Sequence, residues 1–391
     1  MLGSRLSAAA LSARILRGVY NYANLMGIIH FELRGNALDG SLLAMPCFWL
    51  KCLSVLLRIL CCIAYTYLSI GYIMTLENMH LALIAALRLL GCISCAVLML
   101  LLQLRHGQRV LRLVNRYLRL FRRLRALLQV PPHGALFGGK RELLLLCSLV
   151  LCLAYESFCP VPGLLQNLTL FEAFFSLCEV YITVGAAMIL HICFVGYLSL
   201  GVLYQQLNRF VRQQLRQQLR RLELQRNQLT RQQLRAAGCC LDECISIYDE
   251  VQRVSRSFQR LFDLHMCLML LFGFLSMGCV CYYIMLSKFN CTSLWILVAK
   301  MLADIVLLTL AVQGAGSYSR VVKRLSVENF YITERSEWHK KLEMFLGRLN
   351  IFEFRVRPLG LFEVSNELIL LFLSGLVTYL TYIIQYGLQT Q

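Results

Sequence analysis

Apolar runs separated by basic, polar connections dominate this chain, and their lengths set the elements. Seven segments are long and apolar enough to be helices crossing a bilayer: about 52–75, 81–104, 142–158, 173–199, 263–286, 294–314 and 367–388. The third, built on LLLLCSLVLCLAY, is the shortest. The last carries no charge from Leu368 to Leu388, 21 residues that as a helix reach roughly 31 Å. None of the six prolines (Pro46, Pro131, Pro132, Pro160, Pro162, Pro358) lies inside a span, so the helices are predicted to lack proline kinks. The pattern predicts an all-α membrane protein with seven transmembrane helices.

The last segment also carries a polar stripe. Ser374, Thr378, Thr381 and Gln385 follow a 4-3-4 spacing that gathers them on one helix face, bordered by Tyr379, Tyr382 and Tyr386. Inside hydrocarbon such a stripe needs a partner, either another helix or a water-filled path.

Composition agrees with the class: 58% of residues are hydrophobic and mean hydropathy is +0.62, too apolar for a soluble domain. The formal charge of +18 would suit nucleic acid, but its distribution argues for membrane orientation instead. Lys and Arg number five up to Lys51, ten over 105–141, eleven over 200–261 and nine over 317–366. The alternate connections 76–80 and 159–172 and the tail after Leu388 have none, and 287–293 has only Lys288. Thirty-five against one places the N-terminus in the cytosol and the C-terminus outside. The glycosylation triplets at Asn167 and Asn290 then fall on the outer side. A rhodopsin-like receptor would have the opposite N-terminus, an Asp-Arg-Tyr in span three and prolines in later spans. The first 47 residues, Arg-bearing and acid-poor before Glu32, read as a basic cytosolic tail in preference to a mitochondrial presequence, without a cleaved secretory signal.

Asn208 to Arg235 is rich in helix formers, with Leu215, Leu222 and Leu229 seven apart beside Val211 and Leu219, and reads as the fourth span continuing into the cytosol. The stretch 105–129, with Arg112, Arg116, Arg119, Arg122, Arg123 and Arg125 among leucines, is similarly amphipathic. Both are tethered between spans without a base-reading module, so no nucleic acid is expected as a partner. Residues 317–366 interleave apolar and charged positions around Trp338, the pattern of a folded segment.

Ionisable groups within spans are the candidate binding residues. Counted along the helices at about 1.5 Å per residue, Arg88, Glu179, Lys300 and Asp304 fall at a similar depth in the outer half. They outline an outward-open pocket, with Tyr282, Tyr283 and Trp295 as aromatic walls. Lys300 and Asp304, spaced i, i+4, would equally neutralise each other. Arg58 and His191 fall in inner halves and read as structural. Most of the eighteen cysteines lie in spans and act as small apolar residues. Cys159 and Cys291 face the outer side, joined or free. Cys239, Cys240 and Cys244 lack the His or second Cys pair of a zinc site. No nucleophile elbow, phosphate loop or metal-ligating His pair points to an enzyme, a metal or a cofactor. A solute transporter would usually show an internal repeat or interrupted spans, and neither is visible.

Thr378-Tyr379, five further residues, then Gln385-Tyr386 resembles the Thr-Tyr-five-apolar-Gln-Phe signature in the last helix of insect gustatory receptors. Gly360-Leu361-Phe362 and the short tail after Tyr386 are similar to that family's C-terminus as well. The chain departs from the motif in having Tyr386 for Phe, and Thr381 and Tyr382 within the apolar five. The resemblance implies a plasma-membrane receptor of chemosensory neurons: a ligand-gated, non-selective channel for monovalent and divalent cations, opened by a small-molecule tastant. It implies a homo- or hetero-tetramer of related subunits, with the last helix lining the pore and Thr378, Tyr382, Gln385 and Tyr386 forming pore and gate. It also implies that Trp338 to Val364 anchors the subunits in the cytosol. The expected organisation is 1–51 cytosolic, 52–316 six spans with the ligand pocket, 317–366 the anchor segment, and 367–391 the pore helix with a short extracellular tail. A seven-span receptor acting through a cytosolic partner and a small-solute transporter are the alternatives. Sugar, bitter compound and carbon dioxide remain open as ligands.

Overall fold

The structure is a computed structural model that describes residues 7–35, 42–77, 79–128, 137–158, 170–224, 230–286, 292–324, 336–351 and 354–389. Asn167, Asn290, Cys159 and Cys291 lie outside the described residues, as do the side chains of Tyr382 and Tyr386.

Helix α1 (Ala8–Leu25) opens the chain, followed by a hairpin of β1 (Phe31–Gly35) and β2 (Leu42–Pro46) paired antiparallel with Phe31 opposite Pro46. Six further helices come next: α2 (Phe48–Met74), α3 (Met79–Leu101), α4 (Gly107–Leu127), α5 (Lys140–Phe158), α6 (Leu170–Phe210) and α7 (Arg216–Leu224). The last four are α8 (Arg231–Leu286), α9 (Thr292–Arg324), α10 (Ser336–Ile351) and α11 (Asn366–Gln389). Among the described residues, five helical stretches are long and apolar enough to cross a membrane: Phe48–Met74, Leu81–Leu127, Ala173–Leu222, Arg231–Ile284 and Thr292–Arg320. The third expected span coincides with α5, which is apolar only between the charged Lys140-Arg141-Glu142 start and Glu156. The seventh coincides with α11, of which Asn366–Tyr379 counts as a shorter apolar helix.

Helix α6 is the axis of the bundle. In its most apolar 18-residue stretch 78% of residues are buried, against 28–44% in the other four. Small residues let neighbours close on it. Gly196 faces the ring of Phe258 on α8, and Gly201 approaches the backbone of Ala315 on α9. Phe258 meets Tyr197 edge-on at 5.1 Å and Phe262 at 4.8 Å, which joins α6 to α8.

Among the described residues no α-helix contains a proline, as expected, but the helices are not uniform. One π turn (Leu102–His106) joins α3 to α4 and another (Val211–Leu215) joins α6 to α7. Each widens one helical turn and re-aims the helix beyond it.

The first 47 residues are more than a tail. Ser7 caps α1 by accepting from the Ala10 N–H at 3.3 Å. The helix packs lengthwise on α5: the Phe137 N–H donates to the Ala9 carbonyl, and the Tyr22 and Ser157 hydroxyls bond at 2.9 Å. The Asn115 side chain on α4 pairs with the backbone of Ala44 through both amide atoms, at 2.8 and 3.0 Å, and so fastens the hairpin as a strand would.

The stretch from Asn208 does continue the α6 helix, through the π turn and α7 to Leu224, where the described residues pause until Thr230, and α8 begins at Arg231. Its apolar stripe is used within the chain: Val211, Leu215, Leu219 and Leu222 are buried. Several basic residues likewise pair internally, Arg123 on α4 with Glu243 at 2.9 Å and Glu250 at 3.5 Å on α8. In α10, Trp338, Leu342 and Phe345 recur at helical spacing and are buried, and Lys341 pairs with Asp242 of α8 at 2.8 Å. A 3-10 turn at Pro358–Gly360, with positive φ at Leu359 (50°) and Gly360 (74°), reverses the chain toward α11. Glycine tolerates that conformation without strain.

Candidate functional site

Arg88, Glu179, Lys300 and Asp304, expected at one depth, fall into two groups instead of one. Arg88 on α3 forms an ion pair with Glu179 on α6. Tyr283 and Cys279 of α8 lie within electrostatic reach of Arg88. Tyr282 is half-buried, and Tyr283 and Trp295 are 37% and 44% exposed.

The second group joins three helices. Lys300 and Asp304, one turn apart on α9, are 2.7 Å apart. Lys300 also pairs with Glu156 of α5, whose carboxylate meets His191 Nε2 of α6 at 3.2 Å. All four side chains are at least nine-tenths buried. Two carboxylates surround one ammonium, and a proton on His191 would bring the group to neutrality. Burying these charges is tolerable only because each has a partner. Oxygen and nitrogen atoms of Glu156, His191 and Asp304 lie within 4.8 Å of one another, a spacing that suits a metal. The Lys300 ammonium is already the cation there, so a metal ion would have to displace it.

Sequence reasoning missed Glu156 and set His191 aside as an inner-half residue. Depth counted along a helix from its predicted end misleads here, because α6 has 41 residues and a length of about 62 Å, far more than a bilayer core. The signal was present in the rarity of acids within apolar helices, and Glu156 meets that criterion.

On α11 the polar stripe behaves differently. Ser374, Thr378, Thr381 and Gln385 are all exposed in the single subunit. The three hydroxyls bond carbonyls of their own helix, Thr378 to Ser374 at 2.9 Å and Thr381 to Val377 at 2.8 Å among them. The opposite face is packed: Phe372 meets Phe274 of α8 edge-on at 5.3 Å, and the Tyr379 ring lies over Gly278. The stripe is therefore left uncovered by its own chain.

The family model of the 7tm chemosensory receptor matches residues 16–390. Gustatory receptor 93c of Drosophila melanogaster is 42% identical over 398 aligned residues, covering 99% of this chain and 98% of that protein. Among solved structures, the insect olfactory receptor OR5 from Machilis hrabei has a TM-score of 0.61 at 10% identity over 96% of this chain and 99% of the other. The same receptor in complex with eugenol has a TM-score of 0.55. The fold is thus shared with an insect olfactory receptor, and the sequence likeness points to a receptor and away from an enzyme. The chain belongs to the insect gustatory receptor family, within the 7tm chemosensory receptors.

Proposed function

We propose that this protein is a taste receptor that is itself an ion channel: a seven-span subunit, N-terminus cytosolic and C-terminus extracellular, in a tetramer around a central pore. The observation that carries this reading is the α11 stripe. Hydroxyl and amide groups at Ser374, Thr378, Thr381 and Gln385 stand exposed on an apolar helix whose other face is packed, which suits a water-filled path shared between subunits. Gln385 would replace part of an ion's hydration, and Tyr382 and Tyr386 would form the closed constriction. The charge asymmetry of the connections supports the orientation. The buried face of α10 and its contacts to α8 support a folded cytosolic anchor around Trp338–Val364.

Ligand would enter from outside among the helices carrying Arg88, Glu179, Tyr282, Tyr283, Trp295, Lys300 and Asp304, and open the pore by binding the open state more tightly. The eugenol complex of the olfactory receptor with this fold supports a small organic ligand. The plasma membrane of chemosensory neurons is the setting such a receptor requires.

The test is whole-cell current from cells expressing the chain, alone and with related subunits, during a tastant panel in GTP-depleted cells. A ligand-evoked current that survives GTP depletion is expected. Loss of response without GTP would support a receptor acting through a cytosolic partner, and saturable uptake without current would support a transporter.

A further inference from the structure

A cavity of about 290 Å³ lies away from both charged groups, between the N-terminal hairpin, the start of α2 and the π turn that joins α3 to α4. Its walls are mainly apolar, including Phe31, Leu102 and Val110, with four polar side chains set among them: His30, Lys51, Gln103 and Gln108. Gln103 is 1% exposed. Its amide N–H donates to the Gly27 carbonyl, which leaves Oε1 as a buried acceptor without a donor. An orphaned acceptor of this kind is uncommon and marks a place where a donor is missing. The Lys51 ammonium has no carboxylate partner among the described residues, and the nearby Glu32 is engaged by Arg34 at 3.2 Å. Arg105 within the π turn and Arg109 just after it are both exposed. Beside Lys51, Phe48 and Trp49 project outward, 74% and 84% exposed, as aromatic residues do where a helix enters the bilayer interface.

A hydroxyl-bearing anion on an acyl chain complements these features together. We propose that the cavity is a binding site for an anionic phospholipid with a polyol headgroup, of the phosphatidylinositol type. Its phosphate pairs with Lys51, a ring hydroxyl donates to Gln103 Oε1, and its acyl chains leave past Phe48 and Trp49 into the bilayer. A choline headgroup keeps the phosphate but cancels its net charge with a trimethylammonium group and has no hydroxyl, so it pairs less well with Lys51 and leaves Gln103 Oε1 without a donor. The site requires only that α2 crosses a membrane, so it stands or falls apart from the channel reading.

The experiment titrates the full-length protein in detergent micelles with phosphatidylinositol or phosphatidylcholine and counts bound lipids by native mass spectrometry. One phosphatidylinositol per chain is expected, bound at least about ten-fold more tightly than phosphatidylcholine. Lys51→Gln and the cavity-filling Gly107→Phe should each weaken it by about ten-fold. The Cβ of a residue replacing Gly107 meets nothing within 4 Å, and Lys51→Gln is a partly exposed change that keeps the fold testable if Gly107→Phe does not fold. Arg119→Gln, on the exposed face of α4, should leave binding unchanged. Equal binding of the two lipids, or full binding by both cavity variants, would overturn the site. Displacement by free inositol 1-phosphate at the same concentration as the lipid would overturn the lipid as its source.

Discussion

Glu156 of α5 and His191 of α6 meet 3.2 Å apart inside the helix bundle, and the same carboxylate pairs with Lys300 of α9. One acid thus ties together three helices that the sequence separates by 144 residues between Glu156 and Lys300.

Removing the single ammonium exposes that dependence. Lys300→Met leaves Glu156 and Asp304 facing each other in apolar surroundings, and the expected loss is about 3–5 kcal/mol. Neutralising both acids as well, with Glu156→Gln and Asp304→Asn, should recover most of it. Thermal melting of the solubilised receptor measures both, and a single variant as stable as the parent would show that the charges are hydrated. If ligand contacts Asp304, Asp304→Asn alone should move the agonist concentration dependence by about ten-fold, or roughly 1.4 kcal/mol.

Orientation is tested directly by epitopes. A tag after Gln391 should bind antibody on intact cells, and one at Met1 only after permeabilisation. The reverse staining would remove the basis for an extracellular pocket and pore mouth.

The proposed pore residues should have an electrical signature. Gln385→Glu should place four negative charges at the constriction of a tetramer and raise divalent-cation permeability or block, and Tyr386→Ala should increase current without agonist. Reversal potentials and basal currents at matched surface expression are the measurements. Parent-like behaviour in both would return the stripe to a packing role.

Close packing of α6 on α8 has a steric test. A Cβ at Gly196 would collide with the ring of Phe258, whereas one at Gly273 meets nothing within 4 Å. Gly196→Ala should destabilise by about 1–3 kcal/mol, Phe258→Leu should rescue it, and Gly273→Ala should be silent in the same melting assay.

Acid should weaken the N-terminal junction. Burial, together with the cations Lys51 and Arg58, pushes the His30 imidazole down to about 4. The folded state therefore prefers neutral His30, and its contribution is whole above the ordinary value of about 6.5 and is lost as pH falls toward 4. Melting should drop less between pH 7 and pH 5 in His30→Gln than in the parent. An identical drop in the two would place the acid sensitivity elsewhere.

The long apolar helices were legible because leucine-rich runs between basic connections have few other physical solutions. Helix α1 was hidden by Arg14 and Arg17, which made it look like a tail, and its stability comes from α5 and from Arg58, whose guanidinium donates to the Met26 carbonyl at 2.5 Å. The start of α8 was hidden by polarity: it begins 32 residues before the apolar run at 263, and packing against other helices, among them α4, α6 and α10, is what holds those turns. Arg88 and Glu179 pair with each other, whereas Lys300 and Asp304 found Glu156 and His191 because tilt and length decide meetings that residue counting cannot.

Helix α8 has 56 residues without interruption, a rod of about 84 Å. It touches α11 through Phe274 and Gly278 near one end and α10 through Asp242 near the other. Such a rod acts as a lever. A tilt of about 5° pivoting at one of these contacts would carry the other, about 48 Å away, through roughly 4 Å, so a displacement too small to disturb side-chain packing at one site becomes about the width of a side chain at the other.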